Sequence, residues 1–258
     1  MRCIALCSVL AIRLAAQPGA GDAAKADEVL KAARAALGPR LSNVQSLSVW
    51  GADHRGLQST QLALTLDLSG KCLKEQSSLS NGGQIQRMGL SADGAGPAGG
   101  GMPGDDGGPA MSLLLTEGLD GDDYWARNGV GSGKQPFING FVRYVLAFTL
   151  SPPADFPVEF TYGGRIESPR GTVDALEGKG GGGFLVHLYL DAKDHLPVTM
   201  VYHDGGEETQ LWLKDYKSED GIRFPHTLVW IFDDTPVEEF QIQHFKVNPK
   251  LRPDKFRR

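Results

Sequence analysis

Six histidines are the side chains in this sequence best suited to metal binding or acid–base chemistry, and each stands alone in the chain. No H-E-x-x-H segment and no Cys/His pair at metal-ligand spacing accompanies them. The G-x-S-x-G pattern of a nucleophilic serine is absent as well. These motifs therefore predict no catalytic residue, no metal and no cofactor, although a site built from separate strands stays open. The histidines are His54, His187, His195, His203, His226 and His244.

Two glycine-rich segments imitate nucleotide-binding loops. Residues 178–183 read GKGGGG, which fits G-x-G-x-x-G, but the strand-like FLVHLYLD follows where a dinucleotide-binding unit needs a helix. Residues 129–135 read GVGSGKQ, and Gln135 stands where a phosphate loop has the Ser or Thr that holds magnesium. Neither segment predicts a nucleotide site.

The amino-terminal residues 1–21 are typical of a secretory signal peptide, because a basic residue precedes an apolar run and small residues follow it. A buried N-terminal helix or a misplaced start codon is the alternative. Cys3 and Cys7 fall in this leader, so Cys72 is alone in the remaining chain and no intramolecular disulfide can form. We therefore expect a periplasmic or secreted protein, soluble after leader removal, with Cys72 as a packed thiol.

Composition excludes several classes of protein. The chain is 258 residues long, 41% hydrophobic and 22% charged, which is enough apolar material for a sizeable core. Its formal net charge of −5 argues against nucleic acid as a partner, since phosphate binding needs a basic surface. No apolar run is long enough to span a bilayer as a helix.

Two segments have helical periodicity. Asp22 can cap the first, AAKADEVLKAARAALG, whose apolar residues recur at helical spacing until Gly38 and Pro39 end it. The second, FINGFVRYVLAFTLSPP, is apolar nearly all round and ends before Pro152. A helix with apolar residues on every side is expected to be buried on more than one side.

The other segments have strand periodicity. QLALTLDLSG puts a leucine at every second position, at Leu62, Leu64, Leu66 and Leu68, so one face of this strand contacts either the protein's own core or an apolar ligand. Seven short strand-like segments after residue 157 are joined by turns too short for crossovers, so they must be antiparallel. In one of them Trp230 and Phe232 share a side. Residues 91–109 are rich in glycine and proline, and we predict that they form a flexible loop.

Several short motifs follow one another in the carboxy-terminal third of the chain. A strand ends in Leu-Asp, the next begins with Leu-Pro, a Tyr precedes Asp-Gly and a proline-containing strand, and the last strand closes on Asn-Pro and Phe. The residues of these motifs are Leu190, Asp191, Leu196, Pro197, Tyr216, Gly221, Pro225, Asn248 and Phe256. In this order they resemble proteins of the outer-membrane lipoprotein-sorting (LolA/LolB-like) superfamily, and the similarity covers roughly residues 158–256.

The resemblance implies an α+β fold: a curved antiparallel sheet, an incomplete β-barrel, with helices covering its concave face. It implies one LolA-like domain over residues 22–258 and a role in carrying or sensing acylated molecules in the periplasm near the outer membrane. On this hypothesis Leu62, Leu64, Leu66 and Leu68, which we call the leucine ladder, face a hydrophobic cavity that binds a lipid or a lipoprotein acyl group. The predicted cavity residues are Trp50, Leu62, Leu64, Leu66, Leu68, Trp125, Phe141, Val145, Trp212 and Trp230.

Three functions compete at this level. The first is a non-catalytic periplasmic carrier for lipid or lipoprotein acyl groups. The second is a sensor or interaction module of the same fold that contacts another envelope protein. The third is a hydrolase that uses dispersed His and Asp residues.

Overall fold

The structure, a computed structural model, describes residues 22–78, 113–168, 171–204, 206–252 and 254–258. The leader predicted for residues 1–21 and the loop predicted for residues 91–109 lie outside the described residues. The helices are α1 (Ala23–Leu37) and α2 (Lys134–Thr149). The strands are β1 (Ser46–Arg55), β2 (Gln58–Asp67), β3 (Lys71–Ser78), β4 (Leu113–Asp120), β5 (Asp123–Arg127), β6 (Val158–Ser168), β7 (Gly171–Gly180), β8 (Leu185–Asp191), β9 (Pro197–Asp204), β10 (Glu207–Glu219), β11 (Ile222–Phe232) and β12 (Thr235–Val247).

All of these strands belong to one antiparallel sheet with the order β5-β4-β3-β2-β1-β12-β11-β10-β9-β8-β7-β6. Sequence neighbours pair throughout, except where β1 pairs with β12 in the middle. The sheet does not close, so β5 and β6 are its edges. The chain leaves one edge after β5 and reaches the other at β6, and α2 lies on the connection between them. This topology carries α2 across one face of the curved sheet.

Helix α1 forms where the sequence pattern predicts it. The Asp22 side chain accepts a hydrogen bond from the backbone N–H of Lys25 and caps the first turn. Its apolar stripe of Ala26, Val29, Leu30, Ala33 and Leu37 is buried. Helix α1 contacts β6 and β11, so it covers the second half of the sheet.

Helix α2 is buried through most of its length, as its all-round apolar sequence predicts. The helix is followed by its capping residue, Leu150, which adopts a left-handed conformation with φ of 56°. The Arg34 guanidinium of α1 donates two hydrogen bonds to the Leu150 carbonyl, at 3.1 and 2.7 Å. A cation at a helix C-terminus is stabilising, so Arg34 joins the two helices and holds the end of α2 in place.

Both helices pack on the same face of the sheet, which we call the inner face; the opposite one is the outer face. One continuous core joins the two helices to this inner face. In the central strands, Leu66 pairs with Leu47 and Cys72, and Leu64 pairs with Val49. The leucine ladder of β2 therefore points inward. No helix in the described part of the chain is long and apolar enough to cross a bilayer.

The predicted fold class is confirmed: the chain forms a curved, unclosed antiparallel sheet with helices on one face. The turn at Asp220 and Gly221 has φ values of 53° and 79° and joins β10 to β11 as a hairpin. Strand β4 was not among the predicted elements. It places Glu117 inward between apolar positions, so it lacks a continuous apolar stripe. That residues 22–258 form a single domain stays a prediction.

Candidate ligand cavity

A cavity of about 560 Å³ lies between α2 and the inner face. This volume is within the usual range of pockets for small ligands. One wall comes from both halves of the sheet, and the other comes from α2 and the segment before it. The lining residues are Arg55, Leu64, Cys72, Lys74, Gln76, Leu115, Glu117, Val130, Ser132, Pro136, Phe137, Gly140, Phe141, Arg143, Tyr144, Tyr202, Thr209, Leu211, Trp230, Phe232, Val237 and Glu238.

The cavity opens to solvent beside exposed apolar side chains. Val130, Phe232 and Val237 line it and are 96%, 37% and 41% exposed. They are three of the four large apolar side chains that are exposed in the described part of the chain. Exposed apolar side chains grouped at one opening are typical of a surface that meets an apolar ligand or partner.

Three of the sequence-predicted cavity residues line this cavity: Leu64, Phe141 and Trp230. Leu62, Leu66 and Val145 belong to the same core, at most 1% exposed, but they pack against protein atoms and do not line the cavity. Leu68 follows the end of β2 and packs on this core while partly exposed.

The other three predicted residues are tryptophans on the outer face. Trp50 stacks on His244 with ring centroids 4.8 Å apart. Trp125 covers Gly118 and donates its indole N–H to the Phe256 carbonyl at 2.8 Å. Trp212 lies beside Lys214, whose ammonium is 4.8 Å from the ring centroid. Trp50, Trp125 and Trp212 therefore do not line the cavity between α2 and the sheet.

Two neighbouring carboxyl groups lie at one side of the cavity: Glu238 belongs to its lining, and Asp53 lies beside Glu238. Asp53 of β1 is 3% exposed, and its Oδ1 atom has no hydrogen-bond partner in the described part of the chain. Burial, together with the charge of Glu238 and a hydrogen bond to it, raises the pKa of Asp53 to about 7. Glu238 of β12 also accepts a hydrogen bond from the Arg55 guanidinium. The site therefore holds two carboxyl groups with one guanidinium in direct contact.

Helix α2 covers this carboxyl pair with Tyr144. Burial and the nearby charges of Glu238 and Asp53 raise the pKa of the Tyr144 hydroxyl well above its ordinary value. The Tyr144 ring packs edge-on against Trp230, with centroids 6.2 Å apart. At the adjacent position on α2, the Arg143 guanidinium lies 3.9 Å from the centroid of the Tyr202 ring. Tyr144 and Arg143 therefore lie where the charged residues of the cavity lining meet its aromatic residues, Trp230 and Tyr202.

A second buried carboxylate fixes the start of α2. Glu117 of β4 is 1% exposed and accepts three hydrogen bonds: from the Tyr124 hydroxyl at 2.8 Å, the Ser132 N–H at 2.7 Å and the Ser132 hydroxyl at 2.6 Å. The Lys74 ammonium lies 3.8 Å away. Burial opposes ionisation, but the hydrogen bonds from Ser132 and Tyr124 and the charge of Lys74 together lower the pKa of Glu117. Since Ser132 lies two residues before the first residue of α2, ionised Glu117 ties the start of α2 to the sheet.

The Glu117→Gln substitution is expected to lower the free energy of unfolding by about 2 to 3 kcal/mol at neutral pH. It removes a charge that accepts three hydrogen bonds and turns one acceptor oxygen into a donor. The pKa of Glu117 is lower in the folded protein, so its contribution is present above the unfolded pKa and is lost as pH falls through the folded one. Urea unfolding at neutral and acidic pH measures both effects.

The exposed Glu159→Gln change on β6 is the matched control, and its effect should stay within about 0.5 kcal/mol. Equal stabilities of the Glu117→Gln and Glu159→Gln variants would show that Glu117 does not hold α2.

Sequence reasoning missed the charged residues of the cavity. In β4 the alternation of Leu115, Glu117 and Leu119 was a usable signal, because it puts a carboxylate in register with inward leucines. The Arg55–Glu238 contact had no such signal. It depends on the pairing of β1 with β12, which are far apart in the chain.

Among the described residues, no three His, Cys, Asp or Glu side chains lie close enough together to hold a metal ion. Cys72 lines the cavity but is 2% exposed, and burial raises the pKa of its thiol far above the ordinary range. A thiol in this state is a packing group rather than a nucleophile.

Comparison with known proteins supports the fold. The chain is similar in structure to a candidate outer membrane lipoprotein-sorting protein domain from Vibrio parahaemolyticus, with a TM-score of 0.50 and 13% sequence identity. The match covers 92% of this chain and 97% of the Vibrio domain. A LolA superfamily protein from Nitrosomonas europaea gives a TM-score of 0.51 and 11% identity over 90% of this chain and 97% of its own. No protein-family model and no curated protein matches the chain. The predicted resemblance to LolA-like proteins is therefore confirmed at the level of the fold.

Proposed function

We propose that this protein is a non-catalytic carrier that binds an acyl chain of a lipid or lipoprotein between α2 and the inner face of the sheet. The observation that carries the proposal is the cavity of about 560 Å³, which opens to solvent beside exposed apolar side chains. The LolA-like fold agrees with it, because one relative in fold is described as a lipoprotein-sorting domain. We place the protein in the periplasm, with another envelope protein as a further partner.

The lining has the chemistry that an acyl ligand needs. Leu64, Phe137, Phe141, Leu211 and Trp230 offer apolar contacts. Burial of one methylene contributes about 0.8 kcal/mol, so a chain of sixteen carbons supplies about 12 kcal/mol before ordering and displacement costs. The charged side chains of the same cavity offer hydrogen bonds to a polar head. Binding on this scale needs no catalytic group.

Mass spectrometry of lipids extracted under denaturing conditions from the purified protein tests the proposal. The protein should be produced with its predicted leader, so that it meets envelope lipids. We expect a stoichiometric acylated species. A protein that is empty and also refuses added monoacylglycerol would contradict the carrier function and favour the protein-interaction module instead.

A further inference from the structure

Asp53 and Glu238 place two carboxyl groups side by side next to the cavity. Asp53 pairs with Phe240 and Arg55 pairs with Glu238 across β1 and β12, so the two carboxyl groups are diagonal neighbours on the same face of the sheet. Two neighbouring carboxyl groups can share a hydrogen bond only while one of them carries a proton. With that proton on Asp53, Glu238 balances the charge of Arg55, whose side chain is 65% exposed.

The carboxyl group of Asp53 is buried, yet it loses its proton close to neutral pH. Asp53 is 3% exposed, and its Oδ1 atom is unpartnered in the described part of the chain. The pKa of Asp53 is raised to about 7, so the proton leaves close to neutral pH. A buried carboxylate with one oxygen unpaired is costly, because neither water nor a donor replaces its lost hydration.

Charged or titratable groups face Asp53 from each neighbouring element that contributes one. They are Arg55 on its own strand, Glu238 on β12, Lys74 on β3 and Tyr144 on α2. On β2 the residue paired with Asp53 is Thr60, which does not titrate. Arg55 and Lys74 favour the ionised form, but burial and Glu238 outweigh them. Ionisation of Asp53 therefore puts a second negative charge next to Glu238, close to Tyr144. Separation of the two carboxylates or entry of water reduces the repulsion between them.

We propose that loss of the proton shared by Asp53 and Glu238 loosens α2 at Tyr144 and weakens ligand binding, so that the cavity retains its ligand at lower pH and releases it at higher pH. The inference rests on the acyl-carrier function proposed above and names its regulation. Tyr144 packs on Trp230, which lines the cavity, so displacement of α2 at this point changes the ligand-binding wall directly.

Binding of 1-palmitoylglycerol at about pH 5.5 and about pH 8.5 tests the proposal, because this probe has no ionisable group. We expect its Kd to rise at least about threefold over this interval in the unaltered protein and less than about twofold in Asp53→Asn. Glu238→Gln keeps the buried, titratable Asp53 but removes the repulsion between two carboxylates, so its rise in Kd should be smaller than that of the unaltered protein. The exposed Asp123→Asn change on β5 is the matched control and should keep the threefold rise.

A measurement without ligand separates this inference from the carrier function. Acrylamide quenching of Trp230, taken as the difference from Trp230→Phe, should increase above neutral pH in the unaltered protein but not in Asp53→Asn. If the probe binds equally at both pH values, the pH dependence is overturned and the carrier function stands. If the probe does not bind while Trp230 still becomes accessible above neutral pH, the carrier function fails and the protonation response stands.

Discussion

The Gly140→Phe variant is expected to lose acyl binding by at least about tenfold while it remains folded. Gly140 lies on α2 and lines the cavity, and a Cβ atom built there meets no other atom within 4 Å. A phenyl ring at this position can therefore enter the cavity without displacing backbone. Two displaced methylenes already exceed the 1.4 kcal/mol that corresponds to a tenfold change.

Gly140→Ala is the matched control for this substitution. Replacement of glycine inside a helix favours the helix by about 1 kcal/mol for alanine, so neither variant should lose stability. Alanine leaves nearly all of the cavity free, and its affinity should stay close to that of the unaltered protein. Titration with 1-palmitoylglycerol measures both variants. Equal affinities of Gly140→Phe and Gly140→Ala would place the ligand elsewhere.

The Asp53→Asn variant is expected to be more stable than the unaltered protein by about 2 to 4 kcal/mol at pH about 8. An asparagine amide donates a hydrogen bond to Glu238 without a charge, so it reproduces the protonated pair. The buried carboxylate and its repulsion from Glu238 are removed. Few polar substitutions in a core stabilise, which makes the sign of this effect informative.

The pH dependence follows from the direction of the shift. The pKa of Asp53 is raised to about 7 when the protein is folded, so the folded state keeps a proton that the unfolded chain loses near pH 4. Stability is therefore fully present below the unfolded pKa and falls as pH rises towards 7. The advantage of Asp53→Asn should be near zero at pH about 4 and should grow until pH about 7. Urea unfolding across this interval, with Asp123→Asn as control, measures it, and a constant difference would contradict the assignment.

Local sequence patterns predicted the elements but not every side chain's environment. Leu62, Leu64 and Leu66 of β2 and the apolar residues of α2 needed only local periodicity, and they are buried on the inner face. Alternation in β11 put Trp230 and Phe232 on one side, and both line the cavity.

Which side of each strand faces the helices could not be read from these patterns. Trp50 and Trp125 are large and apolar, yet the register places them on the outer face, where His244 and the Phe256 carbonyl partner them. Such partners come from β12 and from the chain end, which are remote in sequence. The same applies to the Asp53–Glu238 pair, since a bulge between Trp50 and Gly51 and the pairing of distant strands bring these carboxyl groups together.

Fluorescence quenching by a brominated monoacylglycerol tests most directly whether an acyl chain binds between α2 and the inner face. Bromine atoms quench indole fluorescence only in close contact, and of the four tryptophans only Trp230 lines the cavity. We predict that the brominated chain quenches the protein, that Trp230→Phe abolishes this quenching, and that Trp212→Phe on the outer face preserves it. Quenching that survives in Trp230→Phe and disappears in Trp212→Phe would contradict the account.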